Sequence, residues 1–225
     1  MKRKTIILFI LIGVSLFGFS QTEDWANFSR YAAANASIEK SPRIVFMGNS
    51  LTDGWGSTHP EFFESNNFAC RGISGQVTAQ MLVRFRADVV DLHPQKVVIL
   101  AGTNDIAQNP YHVAFDRIIG NIRSMCDIAL ANGIEPVLCT VLPCNLFYWN
   151  PGFNPAEKIR EYNDLIRTLA VEKNLMLVDF FPLLRDENDG MPLRYSADGV
   201  HPNSEGYDIM EDLLRRLGLL EVGEN

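Results

Sequence analysis

Five residues scattered through the chain could together perform hydrolytic chemistry: Ser50, Gly72, Asn104, Asp198 and His201. A serine hydroxyl is a poor nucleophile until a base removes its proton. An imidazole, with an ordinary pKa of ~6.5, does this near neutrality. Asp198 lies three positions before His201, so on a loop or opening helical turn both side chains can reach one place. The carboxylate can then hold the imidazole N–H and stabilise the imidazolium. A carbonyl attacked by Ser50 becomes an oxyanion and needs donors. The backbone N–H groups of Ser50 and Gly72 and the amide of Asn104 could supply three, with the missing side chain at Gly72 letting substrate approach the backbone. The nucleophile-elbow pattern G-x-S-x-G is absent around both Ser50 and Ser74, which disfavours a standard α/β-hydrolase elbow.

Ser50, Gly72 and Asn104 each follow an apolar run with strand character, and Asp198 and His201 stand near the C-terminus. The runs of this kind are Ile44–Met47, Phe68–Arg71, Val97–Leu100, Pro136–Val141 and Leu175–Val178. They are short and nearly continuous, as strands buried on both faces should be. Helical periodicity fills the gaps. Met81, Phe85 and Val89 form one stripe; Phe115, Ile118, Ile119, Ile122, Met125 and Ala129 form another, stopping at Asn132-Gly133. A third helix opens at Asn154-Pro155, with Glu157 completing a variant capping box, and carries Ile159, Tyr162, Ile166 and Leu169. The last follows Asn203 or Ser204 and carries Tyr207, Met210, Leu214 and Leu217. Such alternation implies a three-layer α/β/α sandwich with a mainly parallel, flavodoxin-like five-stranded sheet. Ligands of such sheets bind outside the carboxyl ends of the strands, where the candidate residues fall. One domain over residues 38–220 is expected, preceded by a partly helical lead-in over residues 21–37.

Residues 1–20 are a separate object. Lys2, Arg3 and Lys4 precede the apolar run Thr5–Phe19, with Gly18 and Ser20 placed for cleavage before Gln21. This is the plan of a secretory signal peptide, and the run is shorter than the ~20 residues that span a bilayer comfortably. The expected location is secreted or periplasmic, without stable membrane insertion after cleavage. The remaining chain of the 225 residues is long enough for a sizeable core. The 47% hydrophobic content and net charge of −7 of the full chain exclude a mainly disordered chain and an electrostatically held nucleic-acid partner. The four cysteines, Cys70, Cys126, Cys139 and Cys144, lack the spacing of a disulfide scaffold; Cys139 and Cys144 could pair, or all could be small buried hydrophobes. His59, His93, His112 and His201 show no short ligand spacing, so no metal is expected.

Other residues stand near the strand ends. Asp53 and Asp105 either hydrogen-bond their own loops or tune the site. Trp55 is either core or a wall of an acyl pocket. Ser74 reads as a turn residue. The stretch Asn145–Phe153, with Phe147, Tyr148 and Trp149, either stacks on a substrate or folds back as a lid. Asp53, Trp55, Phe147, Tyr148 and Trp149 are therefore candidate substrate contacts.

The ordered set Ser50, Gly72, Asn104 and His201 resembles the four blocks that name the SGNH hydrolases, or GDSL esterases/lipases, across the whole expected domain. Ser-Leu-Thr-Asp-Gly-Trp with Gly-Thr-Asn-Asp is most similar to the branch of acetylhydrolases and carbohydrate O-acetylesterases. The first block departs from the family: Asn49 replaces the usual aspartate, keeping its shape without its charge. The resemblance implies a Ser-His-Asp serine esterase needing no cofactor. Its expected substrates are short acyl esters, acetyl above all, on a small molecule or polysaccharide. A lipid-directed acylhydrolase is the closest alternative, and a binding module that kept the fold without catalysis is a third.

Overall fold

The computed structural model describes residues 24–109 and 111–220, so the expected signal peptide lies outside the described residues. In chain order the elements are α1 (Ser29–Ala36), β1 (Ile44–Gly48), α2 (Ser50–Thr58), α3 (Pro60–Ser65), β2 (Phe68–Gly72), α4 (Thr78–Asp88), β3 (Lys96–Leu100), α5 (Thr103–Ile106), α6 (Phe115–Ala131), β4 (Glu135–Cys139), α7 (Ala156–Lys173), β5 (Met176–Val178), α8 (Phe181–Leu184) and α9 (Ser204–Arg216). A short 3₁₀ turn, Val90–Leu92, links α4 to β3. The five strands form one parallel sheet in the order β2-β1-β3-β4-β5. This is the doubly wound, flavodoxin-like order expected from the sequence.

Both faces of the sheet are covered. Val45, Met47, Val97, Ile99 and Leu138 point to a core shared with α4, α6 and α7. Ile44, Phe46, Val98, Leu100 and Val137 point to a second core with α2, α3 and α9. The period of two along each strand divides the apolar residues between the layers, which is why the runs read as continuous. The helical stripes are buried as expected, except that Phe115 and Ile119 are half-buried and Leu217, which caps α9, is exposed. Helix α7 begins at Ala156, whose N–H is accepted by Asn154 Oδ1 at 3.0 Å. Helix α6 ends where Gly133 takes φ +71°.

The chain winds outward from β1 in two directions, to β2 on one side and to β3 on the other. The crevice at this switch point opens between the loops after β1 and β3. Those loops carry Ser50 and Asn104. Residues 24–37 pack beside this crevice: the Tyr31 hydroxyl donates to the Gly72 carbonyl, and Asn35 reaches Asp88 at 2.8 Å. All four cysteines are free, so Cys139 and Cys144 are not paired; Cys144 Sγ instead donates to the Leu146 carbonyl.

Candidate active site

Strand β1 ends at Gly48, and Asn49 turns the chain into α2. Its side-chain oxygen accepts the Leu51 N–H at 3.1 Å, and its carbonyl accepts the N–H groups of Thr52 and Asp53. Capping requires an acceptor oxygen and no charge, so asparagine performs it where aspartate is usual in the resembling family. Ser50 is thereby the first residue of α2, with its own N–H at the positive end of the helix. Below it, α2 is fixed by Trp55, stacked on Phe62 and Tyr207, with its indole N–H donating to Glu211 at 2.9 Å. The Tyr207 hydroxyl donates to the Leu51 carbonyl at 2.9 Å and locks α9 to the same turn.

The loop before α9 supplies the other two side chains. Asp198 Oδ1 accepts the backbone N–H groups of Val200 at 2.9 Å and His201 at 2.8 Å, and the Ser196 hydroxyl at 3.1 Å. This tight turn aims His201 across the crevice. His201 Nδ1 lies 2.8 Å from Asp198 Oδ2, and Nε2 lies 2.9 Å from Ser50 Oγ. With Asp198 accepting the Nδ1 proton, Nε2 presents its lone pair to the serine hydroxyl.

Partial burial pushes the Asp198 carboxyl upward, but the hydrogen bonds from the backbone and ring of His201 and from Val200 outweigh it and hold the group at about 2. A depressed carboxylate stabilises the fold fully above its ordinary value and loses that contribution as pH falls through the folded value. Unfolding measured between pH 3.8 and about 2 should therefore steepen with acid, and Asp198→Asn should flatten that slope. An unchanged slope would contradict the assigned turn.

Asn104 stands in α5, directly after β3. One of its two amide protons goes to the Gln76 carbonyl at 3.0 Å. Gln76 is itself fixed: its side chain donates to the Ala26 carbonyl at 2.8 Å and accepts from Arg84 Nε at 2.6 Å. Asp105, beside Asn104, accepts the Thr78 N–H at 3.0 Å and hydroxyl at 2.8 Å, capping α4. Burial pushes the Asp105 carboxyl above 3.8 against these bonds. Its role is local hydrogen bonding, one of the two readings the sequence left open.

Ser50, His201 and Asn104 line an open cleft of about 370 Å³, joined by Ser74, Gly75, Asn109, Tyr148, Trp149 and others. Tyr148 and Trp149 are exposed at its rim, held by Phe147, which stacks on Trp149 with ring centroids 4.9 Å apart. In the wall of the cleft, the buried Thr103 hydroxyl has no hydrogen-bond partner among the described residues.

Four residues proposed from sequence do not reach this cleft. Gly72 is absent from its walls; a Cβ there would fall 2.1 Å from Asp53 N, so its bare Cα admits the backbone of α2 rather than a substrate. Gly75, at φ +80° with open space around it, is the glycine of this loop that lines the cleft with Ser50. Trp55 is 1% exposed and belongs to the core. Phe147 is likewise fully buried and anchors its neighbours. Asp53 ties the β2–α4 loop to α2, accepting the Ser74 hydroxyl at 2.7 Å and pairing with Arg30 at 3.4 Å.

Sequence reasoning missed Gly75, Asn109 and Ser196. The short Gly-Ile-Ser-Gly run offered two glycines, and only the left-handed backbone distinguishes them. Ser196 carried no signal beyond its closeness to Asp198. His59, Asp208 and Glu211 lie close enough to share a cation, but both His59 nitrogens are already engaged, with Glu211 and Ser204 at 2.7 Å each. That cluster binds α9 to the α2–α3 corner.

Residues 46–209 match the GDSL-like lipase/acylhydrolase family. A provisionally assigned acylhydrolase from Bacteroides fragilis superposes with a TM-score of 0.84 at 46% identity, covering 87% of this chain and 97% of that one. An uncharacterised lipoprotein of Bacillus subtilis is 31% identical over 126 residues, 48% of this chain; the match spans only about half, 52%, of that protein. An acetylxylan esterase of Geobacillus stearothermophilus is 24% identical over 221 residues, 83% of this chain and 96% of that protein. With the family match covering most of the sheet and every element of the cleft from Ser50 to His201, the chain belongs to the GDSL-like lipase/acylhydrolase family and is a carboxylic ester hydrolase.

Proposed function

We propose that this protein is an exported serine esterase that removes short acyl groups, acetyl above all, from carbohydrate. Ser50 is the nucleophile, His201 the base and Asp198 the group that orients it. The observation that carries the reading is the unbroken hydrogen-bond relay from Ser50 Oγ through His201 to Asp198, opening into a cleft rimmed by exposed aromatics. Export rests on the basic and apolar segment Lys2–Phe19. Among the described residues no helix is long and apolar enough to cross a membrane.

In this mechanism Ser50 Oγ bonds to the acyl carbon as its proton moves to His201 Nε2. The carbonyl oxygen becomes an oxyanion, met by the N–H groups of Ser50 and Gly75 and the remaining amide proton of Asn104. Gly75 takes the place expected of Gly72, because Gly75 and not Gly72 lines the cleft with Ser50. Collapse breaks the bond to the alcohol, which leaves with the proton from His201. Water, deprotonated by His201, then attacks the Ser50 ester; the acid departs and the serine recovers its proton. The carbohydrate assignment draws on the Tyr148–Trp149 rim, which presents flat apolar faces to sugar rings, and on the similarity to an acetylxylan esterase.

Initial rates on p-nitrophenyl acetate, butyrate and octanoate test this. Acetate should be fastest, with rates falling as the acyl chain lengthens. A preference for octanoate would transfer the assignment to lipid esters. Asn104→Ala should lower kcat by about 10²–10³-fold with a smaller change in KM, because its donor acts on charge present only after attack. A raised KM with kcat intact would remove Asn104 from that role.

A further inference from the structure

The Ser74–Gly75 turn separates two hollows. One is the Ser50 cleft; the other, about 300 Å³, is lined by Trp25, Asn27, Gln80 and Gln76. Both include Ser74 and Gly75, so the second hollow lies directly across that turn from the cleft of the nucleophile. Aromatic rings stand at both hollows. Tyr148 and Trp149, 62% and 40% exposed, edge the Ser50 side, and Trp25, 52% exposed, edges the other.

Trp25 is held in place although half its surface faces solvent. Its carbonyl accepts the Gln80 side-chain amide at 2.8 Å, and the next carbonyl, of Ala26, accepts Gln76 at 2.8 Å. Asp24 caps the N–H groups of Phe28 and Ser29, both at 2.8 Å. The backbone that carries the indole is thereby fixed, and the ring's broad apolar face is left bare for stacking. Apart from Ile73, the other side chains of this hollow are polar: the Asp24 carboxylate, the Ser74 hydroxyl and the amides of Asn27, Gln76 and Gln80. A sugar ring, with an apolar C–H face and hydroxyls at its edge, suits one aromatic face among amides; an alkyl chain would need a continuous apolar wall.

We propose that Trp25 is the platform of a second sugar subsite, so that an acetylated oligosaccharide lies across the Ser74–Gly75 turn with its reacting acetyl group at Ser50. The inference rests on the carbohydrate-esterase reading. It adds a specificity determinant outside residues 46–209, the stretch matched to the family. The same segment supports catalysis indirectly, because the Ala26 carbonyl holds Gln76, whose own carbonyl holds Asn104.

The test compares kcat/KM on an acetylated xylohexaose and an acetylated xylobiose for wild type, Trp25→Ala and Trp25→Phe. The wild type should prefer the hexamer. Trp25→Ala should erase about tenfold of that preference through KM, and Trp25→Phe should retain most of it. A hexamer-to-dimer ratio unchanged in Trp25→Ala overturns the proposal. So does a ratio that survives while activity on p-nitrophenyl octanoate drops, which would make the hollow an acyl groove. Calorimetry in the Ser50→Ala background separates binding from chemistry: acetylated xylohexaose should bind about tenfold more weakly once Trp25→Ala is added, and equal affinities overturn the subsite. The underlying esterase reading fails on a different observation, the absence of Ser50-dependent hydrolysis of p-nitrophenyl acetate.

Discussion

Ser50→Ala should lower turnover of p-nitrophenyl acetate by about 10⁴–10⁶-fold while leaving the thermal unfolding transition nearly where it was. The size follows from the relay. Without Oγ no acyl-enzyme forms, and only the oxyanion donors and the cleft remain to assist water. The stability expectation follows from the surroundings. Ser50 begins α2, but the cap is made by Asn49, and the turn is locked by Tyr207 on Leu51. His201→Ala should cost a similar factor. It too should leave the fold intact, because Asp198 Oδ1 keeps its bonds to Val200 and Ser196. The two variants combined should be scarcely worse than either alone, since the nucleophile and its base act as one unit. Additive losses in the double variant would mean that the two side chains act in separate steps. Asp198, held at about 2, stays ionised far below neutrality and so keeps its hold on the His201 ring there.

Arg84→Met should destabilise the protein by about 3–5 kcal/mol, a fall in Tm of about 6–20 °C for a domain of this size. Arg84 is fully buried and uses its guanidinium to join four parts of the structure. It pairs with Asp88 at 2.9 Å, donates to Gln76 Oε1 at 2.6 Å, and reaches the Arg71 carbonyl at 2.9 Å and the Gly48 carbonyl at 3.1 Å. Burial pulls the guanidinium down from its ordinary pKa, and the hydrogen bond to Asp88 opposes that pull. Methionine fills much of the volume but leaves the Asp88 charge and three acceptors without this donor, and removing one member of a buried pair costs far more than exchanging both. Arg84→Met combined with Asp88→Asn should therefore recover part of the loss. Chemical denaturation of the three proteins measures it, and a single variant within about 1 kcal/mol of wild type would show that the network tolerates water or rearrangement.

Much of the molecule could be read from the chain. The five apolar runs, divided between two faces by the period of two, located the strands to within two residues at each end. The helical stripes located the layers that cover them. Once a parallel sheet was implied, the residues after its strands became candidates, and Ser50, Asn104, Asp198 and His201 stand around one crevice. Local chemistry was legible in part: the stop at Asn132-Gly133 holds, and Asn154 does bind the first N–H of α7, but the capping box expected with Glu157 does not form, because Pro155 is the N-cap.

Placement in three dimensions decided the rest. Gly72 and Gly75 are equivalent as letters; close packing of α2 on β2 claims the first, and a left-handed φ at the mouth of the cleft gives the second to the site. Trp55 and Phe147 looked like substrate contacts because aromatic residues at strand ends are ambiguous, and only helix and loop packing turned both inward, leaving Tyr148 and Trp149 outside. Arg84 is an ordinary cation on a helix in the sequence, and nothing local foretells that the ends of β1 and β2 converge on it. Trp25 sits in a segment without strand or catalytic signal, yet the fold carries it to the hollow across the Ser74–Gly75 turn from Ser50. Hydrophobic period and capping act over a few residues and are written in the order of the chain. Which of two equivalent residues faces a cavity depends on contacts between segments far apart in sequence, and those exist only once the sheet has closed its layers.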